Sequence, residues 1–97
     1  MKISVIIPTY NRRHTLGRAI QSVMDQSLLP AEIFVVDDGS TDGTSEWIQK
    51  SYPSIQLIIQ PKQGVSAARN TGINAAEYDW TAFLDSDDEW LPNKLEK

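Results

Sequence analysis

Asp85-Ser86-Asp87-Asp88-Glu89 sets four carboxylates in five residues, directly after the apolar run Trp80-Thr81-Ala82-Phe83-Leu84. Four such charges repel one another and cannot all be buried unpaired. Asp85 and Asp87, one residue apart, suit a hard divalent cation that takes oxygen ligands, Mg²⁺ or Mn²⁺. Such a cation would in turn hold the phosphates of a nucleotide. Asp88 and Glu89 have a plainer use, as acids near the start of the helix that Pro92 opens. A second acidic turn, Asp37-Asp38-Gly39-Ser40, follows the apolar run Ile33-Phe34-Val35-Val36. One of its carboxylates is placed to accept a hydrogen bond from a base N–H, and Gly39 permits close backbone approach. The plainer reading is an Asx-turn and helix cap, which is the role expected of Asp42. Tyr10, just past the first apolar run, is set either to stack on a nucleobase or to pack against a neighbouring loop. Arg69 stands among small and apolar neighbours, where a guanidinium pairs with Asp37, with Asp85 or with a ligand phosphate.

These groups need elements to present them. Ile3 to Ile7 are β-branched apart from Ser4 and show no strong alternation, which predicts a strand buried on both faces and hence a parallel sheet. Asn11 is the expected N-cap of a first helix. Its apolar stripe is Leu16, Ala19, Ile20, Val23 and Met24, ending near Gln26. A second strand, 32–36, leads into a helix that starts near Asp42 and turns Trp47 and Ile48 inward. Tyr52-Pro53 ends that helix, and 55–59 forms a third strand. A third helix then spaces Val65, Ala68, Gly72, Ile73 and Ala76 along one face. Its small residues allow close approach to the sheet, although Gly72 costs about 1 kcal/mol of helix propensity relative to Ala. Residues 80–84 form a fourth, buried strand, and a last helix opens at Leu91. His14 is expected to be exposed in the first helical turn, and Lys94 and Lys97 to be solvated. The resulting order, β-α-β-α-β-α-β, means a parallel sheet with right-handed crossovers. The turns after strands one, two and four therefore meet at one edge of the sheet, where open α/β sheets bind their ligands.

Composition narrows the function. The 97 residues make one domain, 40% hydrophobic, with a net charge of −4. No basic stripe exists to displace counterions from nucleic acid. With no cysteine and one histidine, disulfide, thiolate and zinc chemistry and a Ser-His-Asp set lack their residues. Neither G-x-G-x-x-G nor G-x-x-x-x-G-K-[ST] occurs. A receiver-like phosphoryl acceptor needs an Asp after strand three, where Gln60-Pro61 stands instead. No apolar run approaches the roughly 20 residues of a membrane span. The N-terminus reads as a strand and not as a signal peptide. The expected location is the cytoplasm, with attachment of a longer parent to the cytoplasmic face of a membrane left open.

Ile3–Asn11 (ISVIIPTYN), Val35–Asp42 (VVDDGSTD), Gly64–Gly72 (GVSAARNTG) and Phe83–Asp88 (FLDSDD) together resemble family 2 glycosyltransferases, in order and spacing, across essentially the whole chain. The resemblance implies the GT-A fold, a three-layer α/β sandwich with a mostly parallel sheet of order 3-2-1-4. It also implies a nucleoside-diphosphate-sugar donor, a UDP-sugar first, with Mn²⁺ or Mg²⁺ as cofactor, and glycosyl transfer with inversion, as in cell-envelope polysaccharide synthesis. Pro8, Thr9 and Tyr10 would line the base pocket. Asp38 would contact the base with Asp37 in support, and Arg69 would lie near the donor. In the match to D-x-D, Asp87 would bind the metal and Asp85, across Ser86, the sugar or ribose. The family continues well beyond this length into an acceptor segment that carries the general base, so that base is expected beyond Lys97. Residues 1–97 then read as a truncated donor-binding half whose open sheet edge invites self-association into a homo-oligomer. The alternative is a non-catalytic nucleotide-binding or partner-binding fragment.

Overall fold

A computed structural model describes residues 2–27, 29–78, 80–86 and 90. The elements run β1 (Ile3–Thr9), α1 (Arg13–Met24), β2 (Glu32–Asp37), α2 (Thr44–Ser51), β3 (Gln56–Ile59), α3 (Val65–Ala75) and β4 (Trp80–Phe83). All strand pairs are parallel, in the order β3-β2-β1-β4. This is the α/β arrangement and strand order of the GT-A fold. β1 is buried along its whole length because it has a strand on each side and a helical layer on each face.

Alternate residues of β1 serve different cores. Ile3, Val5 and Ile7 pack with Leu16, Ile20 and Val23 of α1 and Ile48 of α2. Ile6 packs on the other face with Phe34, Val36 and Ala68, under α3. The close approach foreseen for α3 rests on Gly72, where a Cβ would stand 2.5 Å from Ile6 Cγ2. At the amino end of the sheet, Ser4 Oγ donates to Glu32 Oε1 at 2.6 Å, and the Glu77 N–H donates to the same oxygen at 2.8 Å. Among the described residues, no helix is long and apolar enough to cross a membrane.

Four expectations are corrected. The strand 80–84 was expected to be buried, yet Trp80 is 60% and Phe83 40% exposed. Its residue types suit burial, but β4 is the edge of the described sheet, and only β1 flanks it. On α3, Ala68 and Gly72 face the sheet while Val65 (51%) and Ile73 are exposed, because the contact is narrow and built on small residues. Met24, last in the α1 stripe, is exposed at the helix end. Asn11 is not the cap of α1, as set out below. The helix expected from Leu91 lies outside the described residues.

Candidate nucleotide-binding cleft

The chain adds β2 and then β3 on one side of β1, and crosses back to lay β4 on the other. Where strand order reverses in this way, the loops at the carboxyl ends part and leave a crevice. A cleft of about 380 Å³ lies there, lined by Pro8, Thr9, Tyr10, Arg12, Asp38, Lys62, Val65, Ala68, Arg69, Asp85 and Ser86. The cleft gathers residues from the ends of β1, β2, β3 and β4 and from the first turns of α3.

The turn after β1 is stitched to the turn after β2. Thr9 O accepts the Asp38 N–H at 2.9 Å. Asn11 N–H donates to Ser40 Oγ at 2.9 Å, and Asn11 Oδ1 accepts the Thr41 N–H at 2.8 Å. Asn11 adopts φ 51°, a left-handed backbone that asparagine tolerates better than most residues. Its side chain therefore reaches across to the neighbouring turn and does not cap α1, whose cap position is held by Arg12 without a side-chain bond. Asp42 serves both helices. Its Oδ2 accepts the Arg13 N–H at 3.2 Å, while Oδ1 accepts the Thr44 N–H at 3.2 Å and the Thr44 hydroxyl. Burial would raise the Asp42 carboxyl, but these bonds outweigh it and hold the group below its ordinary value.

Asp37 and Asp38 take different surroundings. Asp37 is buried outside the cleft lining, and its Oδ1 accepts the Ser40 N–H at 2.9 Å, which tightens the turn. Asp38 lines the cleft, although it is only 3% exposed. Its Oδ1 accepts Gln60 Nε2–H and the Gln63 N–H, both at 2.8 Å, and its Oδ2 accepts the Gly64 N–H at 2.9 Å. Desolvation pushes the carboxyl up, but the three donors and the nearby Lys62 ammonium overcome it and hold Asp38 below its ordinary value. Gln60 is held in turn by the Thr71 hydroxyl, which donates to its Oε1 at 2.6 Å. Gln60, Lys62, Gln63 and Gly64 were not expected at the site. Charge and turn chemistry point to the turns after strands one, two and four, whereas the loop after the third bears no carboxylate. The signal was available, because that loop also lies at the carboxyl end of a parallel strand.

On the far side, Arg69 Nη2 meets Asp85 Oδ1 at 3.1 Å, and its guanidinium carbon lies 6.0 Å from the centroid of the Phe83 ring. Of the two carboxylates considered for Arg69, the structure selects Asp85. Ser86 is buried, and its carbonyl accepts the Thr15 hydroxyl at 2.9 Å, which ties the acidic turn to α1. Two buried polar atoms of cleft residues, Thr9 Oγ1 and Arg69 Nε, have no partner among the described residues. Buried polar atoms are normally satisfied, so such orphans in a cleft wall suit a ligand or water. Asp87, Asp88 and Glu89 lie outside the described residues. Among the described residues no three His, Cys, Asp or Glu side chains gather as a metal site. The donor chemistry still fits a divalent cation. Asp85 is a hard oxygen ligand with a 58% exposed side chain, and Mg²⁺-type sites commonly use one or two carboxylates together with substrate phosphates. Arg12, Lys62 and Arg69 bring three cations to the cleft of a chain whose net charge is −4, which favours an anionic ligand there.

The sequence profile described as "Glycosyl transferase family 2" matches residues 4–97. An uncharacterized glycosyltransferase of Nostoc sp., alr2836, is 48% identical over 101 residues, covering 100% of this chain and 31% of that protein. In S. aureus TarS 1–349 in complex with UDP-GlcNAc, a region 33% identical superposes with a TM-score of 0.82 over 99% of this chain and 29% of that one. The mannosyltransferase PcManGT of Pyrobaculum calidifontis, in complex with GDP-Man and Mn²⁺, gives a TM-score of 0.77 at 28% identity, covering 92% of this chain and 28% of that one. The chain thus spans about a third or less of the length of each of these proteins.

Proposed function

The chain belongs to glycosyl transferase family 2, and on that premise we propose that its cleft takes the nucleoside-diphosphate end of a sugar donor, with a divalent cation, for transfer of the sugar to an acceptor hydroxyl. The observation that carries this reading is a single cleft at the strand-order reversal that draws together Pro8, Thr9, Tyr10, Asp38, Arg69, Asp85 and Ser86. Further support comes from the UDP-GlcNAc and GDP-Man complexes of the structural relatives, one of them with Mn²⁺.

In this reading residues 1–97 act as the donor-binding part of a transferase. The base lies at the Tyr10 and Asp38 end, where Asp37 keeps the turn in shape. Arg69 pairs with a ligand phosphate or sugar oxygen through the Nε–H that lacks a partner, and Thr9 Oγ1 offers a second polar contact. Ser86, anchored on Thr15, steadies the chain on the carboxyl side of Asp85. Asp85 and Asp87 are the residues that would hold Mn²⁺ or Mg²⁺. Bound there, the cation would neutralise the charge that develops on the diphosphate leaving group. Removal of the acceptor proton falls to a general base that the cleft residues do not supply. Asp38 is committed to the loop after β3, and Asp85 to Arg69.

Calorimetric titration with UDP tests the proposal, with and without Mn²⁺ and in Asp85→Ala and Asp87→Ala. Binding in the presence of Mn²⁺ is expected, weakened about tenfold or more by removing the metal or by truncating Asp87. A folded chain that binds neither UDP nor GDP, with or without Mn²⁺, defeats the reading.

A further inference from the structure

Asp85 is an exposed carboxylate on a backbone that is held on both sides. Before it, Leu84 is buried and donates its N–H to Ile6 O at 3.1 Å, which continues the pairing of β4 with β1. After it, Ser86 is buried and its carbonyl accepts the Thr15 hydroxyl at 2.9 Å. One brace therefore comes from the sheet and the other from α1. The same side of α1 holds the chain a second time. Ser22, about two turns beyond Thr15, accepts the Trp90 N–H on its Oγ at 3.0 Å, while its own hydroxyl donates to Ala19 O at 2.7 Å. Trp90 packs on the core that α1 shares with β1.

A threonine within a helix commonly turns its hydroxyl back to a carbonyl of the preceding turn. Thr15 has that choice, with Arg12 O at 3.2 Å. The hydroxyl carries one hydrogen, and the Ser86 carbonyl is the nearer acceptor. Thr15 itself is not among the residues that line the cleft. Of the Asp85 oxygens, Oδ1 meets Arg69, and Oδ2 has no partner among the described residues. Oδ2 is thus the atom open to a cation. A carboxylate that stays 58% exposed has few contacts of its own to fix its direction, so its backbone must fix it. Resting on the proposed donor and cation site, we infer that Thr15 is a positioning residue for cation binding. By holding Ser86 it aims Asp85, and it bears on the cation and not on the nucleoside.

Calorimetric titration with UDP, with and without Mn²⁺, of the wild type, Thr15→Val and Thr15→Ser tests this. Valine keeps the β-branched shape without the hydroxyl, and serine keeps the hydroxyl. Removing a group that orients a metal ligand commonly costs tenfold or more, so Thr15→Val is expected to cut the gain in UDP affinity brought by Mn²⁺ by about tenfold. Affinity without Mn²⁺ is expected to match the wild type, and Thr15→Ser to restore the gain. In the Asp85→Ala background, Thr15→Val is expected to add little, because the hydroxyl acts through that carboxylate. An undiminished gain in Thr15→Val overturns the inference. So does an equal fall with and without Mn²⁺, which would mark a hydroxyl that only supports the fold. A serine variant that behaves like valine, or a Thr15→Val effect of full size in Asp85→Ala, overturns it as well. A wild type that binds neither UDP nor GDP, or that gains nothing from Mn²⁺, removes the donor and cation reading and this inference with it. Failure of the inference alone appears only in the variants.

Discussion

Asp38 joins the turn after β2 to the loop after β3, and its protonation should therefore be visible in stability. Its folded-state carboxyl is held below the ordinary value of 3.8 by Gln60, Gln63, Gly64 and Lys62, against the opposing effect of burial. A depressed carboxyl contributes stability that is fully present above the unfolded value and is lost as the pH falls through the folded one. Urea unfolding measured from neutral pH downward should show constant stability from this group until the pH nears 3.8, then a decline. Asp38→Asn should be less stable at neutral pH and should lose part of that acid limb, though not all of it, because Asp42 is depressed in the same direction. An acid limb identical in the two proteins would mean that the three hydrogen bonds do not favour the charged form.

At the scale of elements, two contacts decide how the site is held. Asn11 crosses from the turn after β1 to the turn after β2 with a left-handed backbone. Asn11→Ala imposes a backbone cost of about 1–2 kcal/mol and removes the acceptor of the Thr41 N–H. Asn11→Gly removes the acceptor and relieves the backbone. The alanine variant should therefore unfold at lower urea than the glycine variant, by about 1 kcal/mol in stability. Equal midpoints would show that φ at this position carries no strain. Gly72 sets the distance between α3 and β1. Alanine there gains about 1 kcal/mol of helix propensity but drives a methyl into Ile6, a contact of the kind that costs about 1–3 kcal/mol. Gly72→Ala is expected to be destabilised in a thermal melt. Because α3 carries Arg69, UDP affinity should fall in the same variant.

At the scale of the whole molecule, charge is distributed unevenly. A chain of net charge −4 gathers Arg12, Lys62 and Arg69 around its cleft. If the cleft takes a diphosphate, affinity for UDP should fall as salt rises, since the Debye length shrinks from about 10 Å at 0.1 M to about 3 Å at 1 M. Affinity unchanged across that range would place the phosphates away from these cations. The alternation of elements, the parallel sheet and the edge where the polar turns meet were legible in the sequence, whereas the strand order came from the family resemblance. Runs such as Ile3–Ile7 leave no polar face, so they demand cover on both sides, and right-handed crossovers do the rest. The partners across the sheet were not legible. Asp38 meets Gln60, Gln63 and Gly64, 22 to 26 residues away, because β2 and β3 lie side by side and their carboxyl-end loops touch. Spacing along the chain does not encode those pairings, although the place of the loop after β3 at the carboxyl end of a parallel strand already marked it as part of the site. The exposure of Trp80 and Phe83 belongs to the same class, since residue types determine what a strand tolerates and its neighbours in the sheet decide whether it is covered. The sequence by itself determined which elements form and which turns carry charge, because those depend on local periodicity and residue chemistry. Only the tertiary structure decided which of those charges face one another, because that depends on how strand order folds distant loops together.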